Sequence, residues 1–350
     1  MTKFESHLHT FTEADWLAAV DELLPCIHEV DKNAVQIWFR FFPLGLKRFV
    51  DAAGEREETL RGLALQGPFE LAQMIDTSHH FLYGHRYWKA VKCAIKAEAE
   101  DKLEEPDSLV GLMKTTGMHA AEKAQSDRSL TNAIAAVGLM TLNQVGSEAF
   151  YATEGKTDQP TSGVMSKSPD KIVAARAADD SQGLFGFLKT VDKRFSVSYS
   201  AVTHEGKFPI IADEEIVTAS QKDRSQDWQA ADSRCWEGPV PIECTSASCG
   251  TCWVGVLGGQ EKLSPVDRRE RRQMKVFGYN QPEDEQPFLR LACQARGSGN
   301  VTLVIPPWNG VFGKKVYGNV EEVELEPATT SAKNLREVVK EATAGGETTS

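Results

Sequence analysis

No run of eighteen apolar residues occurs in this 350-residue chain, so a transmembrane helix is not expected. The apolar stretch 34–46 is too short and carries Arg40. The N-terminus, MTKFESHLHTF, lacks the charged-then-apolar pattern of a signal peptide, and a cytoplasmic location is expected. Peripheral membrane association stays open. No G-x-G-x-x-G opens a strand–helix unit, since Gly297-Ser-Gly299 is followed by a strand pattern, and no Walker loop occurs. A recognisable nicotinamide, flavin or nucleotide site is therefore missing. Basic residues are in deficit, 39 Lys and Arg against 50 Asp and Glu, for a net charge of −11. That balance argues against a nucleic-acid partner, whose phosphates need a basic surface. The seven cysteines are odd in number and come without a secretory signal, which argues against a disulfide framework.

What the chain does have is a concentration of those cysteines. Cys244-Thr-Ser-Ala-Ser-Cys249-Gly-Thr-Cys252 has the spacing C-x4-C-x2-C, and Cys293 follows within Arg290-Leu-Ala-Cys293-Gln294. This is the thiolate spacing of a plant-type [2Fe–2S] cluster, with three ligands on one loop and the fourth elsewhere. A loop that wraps such a group needs small residues, so that its amide N–H groups can turn inward onto sulfur. Thr245, Ser246, Ala247, Ser248, Gly250 and Thr251 are all small, and Gly250 reaches backbone angles closed to other residues. Cys244, Cys249, Cys252 and Cys293 are thus the expected cofactor and iron ligands. Structural zinc, the alternative, usually shows two short Cys or His pairs, and the chain has one C-x2-C. Cys235, nine residues before Cys244, is not needed as a ligand.

At these residues the chain resembles the [2Fe–2S] ferredoxin domain family. The resemblance extends over about 191–328. RFSVSYS at 194–200 alternates Phe195, Val197 and Tyr199 with serines, and a turn at His204-Glu205-Gly206 leads to a second strand at 207–211. Residues 214–229 suit the helix that follows in the family. Pro239-Val-Pro-Ile-Glu-Cys244 looks like the entry to the cluster loop. Trp253 to Leu257, ended by Gly258-Gly259, reads as a strand, and 301–305 as the closing one. The resemblance implies a β-grasp fold, with Cys244 and Cys249 on one iron and Cys252 and Cys293 on the other. Forty residues separate Cys252 from Cys293, more than plant-type members usually carry. The excess holds a helix expected to start with Ser264 as N-cap, Pro265 at the first position and Asp267 at the capping-box position. It resembles the helix that bacterial members place before their last ligand.

Residues 1–150 read as a helical, bundle-like domain of unknown role, 151–190 as a linker with a short helix at 171–189, and 329–350 as a flexible tail. The expected class is α+β. Thr12-Glu-Ala-Asp15 is a capping-box start, after which Leu17, Val20, Leu24 and Ile27 follow at helical spacing until Pro25 splits the helix. Further helices are expected at 57–65, 69–99, 107–123 and 129–150, with Gly67-Pro68 as punctuation and an apolar stripe of Leu130, Ile134, Val137, Leu142 and Val145. His79, His80 and His85 stand in an aromatic-rich segment. On a helix His79 and His85 would lie about 120° apart, and His80 and His85 about 140°, so neither pair chelates, and packing or an interface is expected over a haem or metal site. Cys26-Ile-His28 has half of a Rieske motif, but Cys93-Ala-Ile-Lys96 lacks the other half. Cys26 and Cys93 read as buried small apolar residues.

Two functions follow from these readings. The first is one-electron transfer, by a soluble ferredoxin with an added docking domain or by the iron–sulfur subunit of a larger oxidoreductase, between redox partner proteins that the sequence does not name. An acidic balance suits a carrier that meets basic patches on such partners. The second is a redox-sensing module in which the cluster controls a partner through the helical domain. Sensing needs an output surface, and the basic run Arg268-Arg269-Glu-Arg271-Arg272 reads more simply as a solvated helix face or docking patch. No substrate site of the chain's own is expected.

Overall fold

A computed structural model describes residues 2–63, 69–100, 108–157, 164–178, 193–277 and 284–308. Gly67-Pro68, residues 158–163 and 179–190 of the expected linker, and the expected tail lie outside the described residues. The chain divides into two compact units, Met1–Ala52 with Pro68–Ala178, and Ala53–Gly67 with Asp179–Ser350. Helices precede a sheet along the chain, and the structure is mixed helix and sheet. No helix among the described residues is long and apolar enough to cross a membrane.

The first unit is helical: α1 (Lys3–Leu8), α2 (Glu13–Leu23), α3 (Glu29–Phe41), α4 (Leu44–Asp51), then, beyond α5 (Arg56–Gly62) of the other unit, α6 (Trp88–Glu100), α7 (Leu109–Ala124), α8 (Asn132–Val145), α9 (Ser147–Ala152) and α10 (Pro169–Ala177). Thr12 and Asp15 form the expected capping box of α2. Pro25 ends that helix by opening a 3-10 turn over Leu24–Cys26. The buried face is Trp16, Ala19, Val20 and Leu23, rather than the expected stripe through Leu17 and Leu24. The expected continuous stripe of α8 is also corrected, because every residue from Asn132 to Gln144 is buried. Small residues let neighbours close on all sides: a Cβ on Gly138 would meet Ile95 and Val91 of α6 at 2.8 Å.

The helix expected from residue 69 begins only at Trp88. Side chains divert the backbone before it. The Asp31 carboxylate on α3 accepts the amides of Tyr83 (2.6 Å) and Gly84 (2.8 Å), and Asp76 accepts Trp88 Nε1 (2.7 Å) and the Gly155 amide (3.0 Å). Backbone groups claimed in this way are unavailable to a helical ladder. The expected 129–150 helix likewise divides at Gly146, whose φ of 81° suits glycine. There the Ser147 amide donates to Glu5 Oε1 at 2.6 Å.

The second unit is built on five strands: β1 (Arg194–Ser200), β2 (Glu205–Ile211), β4 (Trp253–Gly258), β5 (Leu289–Leu291) and β7 (Val301–Val304), in the order β2-β1-β7-β4-β5. β1 pairs antiparallel with β2 and parallel with β7, and β4 runs antiparallel to both β7 and β5. The expected opening hairpin is present, with Val197 facing Phe208. A separate pair joins β3 (Glu214–Glu215) to β6 (Arg296–Gly297). The single helix expected over 214–229 is two short ones, α11 (Ile216–Ser220) and α12 (Trp228–Ala231). Asp223 turns the chain between them by accepting the Ser225 amide, and Asp227 caps α12. The arginine-rich helix α13 (Arg268–Phe277) starts three residues later than expected, because Asp267 accepts the Glu270 amide at 2.7 Å. Ser264 instead exchanges two bonds with the Arg296 backbone, at 2.8 and 3.1 Å.

The close approach of α6 and α8 generates a first test. Gly138→Val adds branched volume where Ile95 and Val91 already stand, and overpacking of this kind costs about 1–3 kcal/mol. Its Tm should fall by several degrees while the sheet unit's own transition stays put, as followed by calorimetry.

Candidate metal centre

The sheet brings the last two cysteines together. Cys252 directly precedes β4, Cys293 lies two residues past β5, and Trp253 faces Leu291 across that antiparallel pair. Cys293 sits in a tight turn in which the Gln294 and Ala295 amides donate to Leu291 O, at 2.9 and 3.0 Å. The Ala292 amide donates to Cys252 O at 2.9 Å. Val217 and Ile216, at the start of α11, donate to Ala292 O and Ala295 O, fixing the turn from its other side.

Cys244 and Cys249 belong to the preceding loop. Cys244 Sγ lies 3.0 Å from Cys249 Sγ, well beyond the roughly 2.05 Å of a disulfide. The loop reverses at two left-handed residues, Ala247 (φ 63°) and Gly250 (φ 67°). Glycine there was legible in the sequence. Alanine was not, and its Cβ costs about 1 kcal/mol in that conformation. The turns aim amides inward. Cys244 receives the N–H groups of Ser246 and Cys249, Cys249 that of Thr251, Cys293 that of Ala247, and Cys252 that of Cys293. Ser248 Oγ adds a contact to Cys244 Sγ at 3.5 Å, and Gln294 Nε2 one to Cys293 Sγ at 3.4 Å.

The four sulfurs therefore stand as two pairs, Cys244 with Cys249 and Cys252 with Cys293. Within each pair one thiol hydrogen-bonds the other. The bond from Cys249 holds the Cys244 thiol down to about 4, and the same bond pushes Cys249 up. The bond between Cys252 and Cys293 lowers Cys293 and raises Cys252. Cys244, Cys252 and Cys293 are buried, and Cys249 is partly exposed. Among the described residues, no three or more His, Cys, Asp or Glu side chains form a group suited to a metal ion. The four thiols are nonetheless the donors that could hold a metal group, in two pairs with backbone N–H groups facing each sulfur. Cys235 takes no part. It is buried, its Sγ lies 3.3 Å from Pro239 O, and burial pushes its thiol up to about 12.

Two buried arginines, neither legible as such in the sequence, brace this region. Arg290 grips Glu270 of α13 with Nε and Nη2, both at 2.9 Å, while Glu270 Oε1 also accepts the Leu291 amide at 2.8 Å. Arg290 Nη1 reaches Ser264 O at 2.9 Å. Before the loop, Arg234 pairs with Asp232 (2.7 Å) and donates to Pro306 O at 2.9 Å beyond β7. Trp253 and Trp308 pack at 4.8 Å between ring centroids, both fully buried.

In the helical unit, His79 and His85 meet, contrary to the separation expected on a helix. Residues 83–87 form a 3-10 turn, and the two Nδ1 atoms lie 2.9 Å apart. His79 is fully buried against Trp88, with ring centroids 4.0 Å apart. Burial, then the neighbouring His85 and His80, hold the His79 imidazole well below its usual range. His80 bonds Thr77 O at 2.9 Å. Neither cysteine expected to be buried is so: Cys93 is half-buried, and Cys26, the last residue of the proline turn, is exposed. Compared with family models, curated proteins and solved structures, the chain matches none.

Two tests follow from this geometry. Glu270→Ala leaves the Arg290 guanidinium buried and unpaired and should cost about 3–5 kcal/mol in denaturant unfolding, whereas Glu270→Leu with Arg290→Met should recover most of that loss. His79 must be neutral in the fold and can charge freely once unfolded, so its contribution is complete above about pH 6.5 and is lost as pH falls below that value. Relative to His79→Asn, the wild-type helical unit should lose Tm between pH 7 and 5, against an opposite trend from Asp31, whose carboxyl burial pushes up to about 6. His79→Asn should lower Tm at pH 7 and remove that loss, measured by thermal melts across the range.

Proposed function

We propose that the C-terminal unit holds a [2Fe–2S] cluster on Cys244, Cys249, Cys252 and Cys293, and that the chain carries single electrons between redox partner proteins. The observation that carries this reading is the meeting of three thiols of one loop and a fourth from the turn after β5 as two pairs, with backbone N–H groups on every sulfur. Two pairs suit a group with two metal atoms, each taking two thiolates, better than they suit one ion needing four converging ligands. The sheet order, with a parallel β1–β7 pair at its centre, fits the β-grasp arrangement that the cysteine spacing implied. Bound there, the cluster would supply reversible one-electron storage.

The chain's own residues do the rest. Ala247 and Gly250 turn amides onto sulfur, where N–H donors stabilise negative charge. Trp253, the residue after Cys252, packs against Trp308, and both rings are fully buried. Cys249, the one partly exposed ligand, gives the edge through which an electron would enter or leave. Protein anaerobically supplied with iron and sulfide should hold about two of each per chain. Each of Cys244→Ser, Cys249→Ser, Cys252→Ser and Cys293→Ser should abolish or strongly shift the visible and EPR signals, and Cys235→Ala should leave them unchanged. One zinc per chain without sulfide would overturn the reading.

A further inference from the structure

We propose that Gln294 is a positioning residue for Cys293, whose side-chain amide, donated to the Cys293 sulfur, raises the readiness of the centre to accept an electron. This rests on the cluster reading above and concerns how that centre is tuned.

Gln294 Nε2 lies 2.8 Å from Cys293 O, 3.1 Å from Thr245 O and 3.4 Å from Cys293 Sγ. All three neighbours are acceptors, so the nitrogen end of the amide is the end that faces them. The amide has two hydrogens for these three acceptors, so the two closer carbonyls fix the group and the sulfur shares one of those hydrogens in a longer, three-centre contact. Thr245 follows Cys244, and Cys293 comes from the turn after β5. The one side chain thus stitches the first ligand's loop to the last ligand. Backbone amides also face the sulfurs, but they cannot be altered without altering the loop. Gln294 is half-buried at the rim of the site and can be replaced.

An added electron raises the negative charge on the thiolates, and a hydrogen-bond donor stabilises that more negative state more strongly than the oxidised one. Removing the donor therefore makes reduction harder. Gln294→Leu deletes the donor while keeping much of the side-chain volume. Gln294→Glu keeps length and shape but sets carboxylate oxygens where donors stood. The predicted order of midpoint potentials is wild type, then Leu, then Glu, falling.

The test is a redox titration of the full-length, iron-loaded protein and both variants, followed in the visible spectrum and by EPR, with iron and sulfide counted in each. Both variants should retain wild-type iron and sulfide. Gln294→Leu should lower the one-electron equilibrium constant by about tenfold, equivalent to about 59 mV. Gln294→Glu should lower it at least as far. Unchanged midpoints with iron retained would show that Gln294 is only a stitch between backbone carbonyls and overturn the proposal. Loss of iron from both variants would also overturn it, by showing that the residue holds the centre rather than tunes it. A wild-type protein that takes up no iron and sulfide would instead fail the cluster reading itself, a result visible before any variant is made.

Discussion

A backbone amide turned toward sulfur is lost to the sheet. Five amides, those of Ser246, Ala247, Cys249, Thr251 and Cys293, face cysteine sulfurs, so the segment bearing them cannot be a strand or a helix. It has no ladder to stabilise it, and it includes a left-handed alanine. Its order has to come from its two ends. That requirement explains why strand pairing begins at the residue after Cys252 and stops two residues before Cys293, and why the turn at Cys293 is bonded to both Cys252 and α11.

The two buried arginine pairs belong to the same requirement. A buried ion pair gains little net stability, since desolvation offsets most of the attraction. What it supplies is direction, because a guanidinium fork accepts only a narrow range of partner positions. Arg290 fixes α13 against the strand leading to Cys293, and Arg234 fixes the approach to Cys244 against the chain beyond β7. Apolar packing alone would tolerate sliding by fractions of an ångström. Sulfurs 3.0 Å apart tolerate far less.

How much of this could be read in the sequence follows from how local each signal is. The cysteine spacing, the small residues of the loop, the opening hairpin, Thr12 with Asp15 and the break at Pro25 are contained within a few residues, and each was legible. The Glu270–Arg290 pair was hidden inside an arginine-rich run whose charges suggested solvent, since nothing in RRERR distinguishes the one glutamate that points inward. Residues 69–87 read as helix because the groups that unwind them are remote. Asp31 lies some fifty positions upstream of the amides it takes, and Gly155 lies far downstream of Asp76. His79 and His85 meet for the same reason, since Asp31 holds the amides that a helix through them would need. Burial all round α8 was also out of reach, because a stripe of large residues marks one face and the alanines and glycine of the other face leave no hydrophobic signature.

The two units thus reach order by opposite routes. In the helical unit, small residues on α8 let helices close in, and side-chain carboxylates such as Asp31 and Asp76 fix the segments that do not become helix. Errors there are absorbed by repacking, because many weak contacts share the load. In the sheet unit the geometry that matters is concentrated in a few directional bonds around four sulfurs. A change of one donor at that rim would alter the electrostatics around the sulfurs with the fold kept, whereas a change of one clamp would shift a cysteine. On the proposed reading, Gln294, at the rim with its amide against the Cys293 sulfur, would bear on the centre, whereas Cys235, buried with its sulfur against a backbone carbonyl, would not.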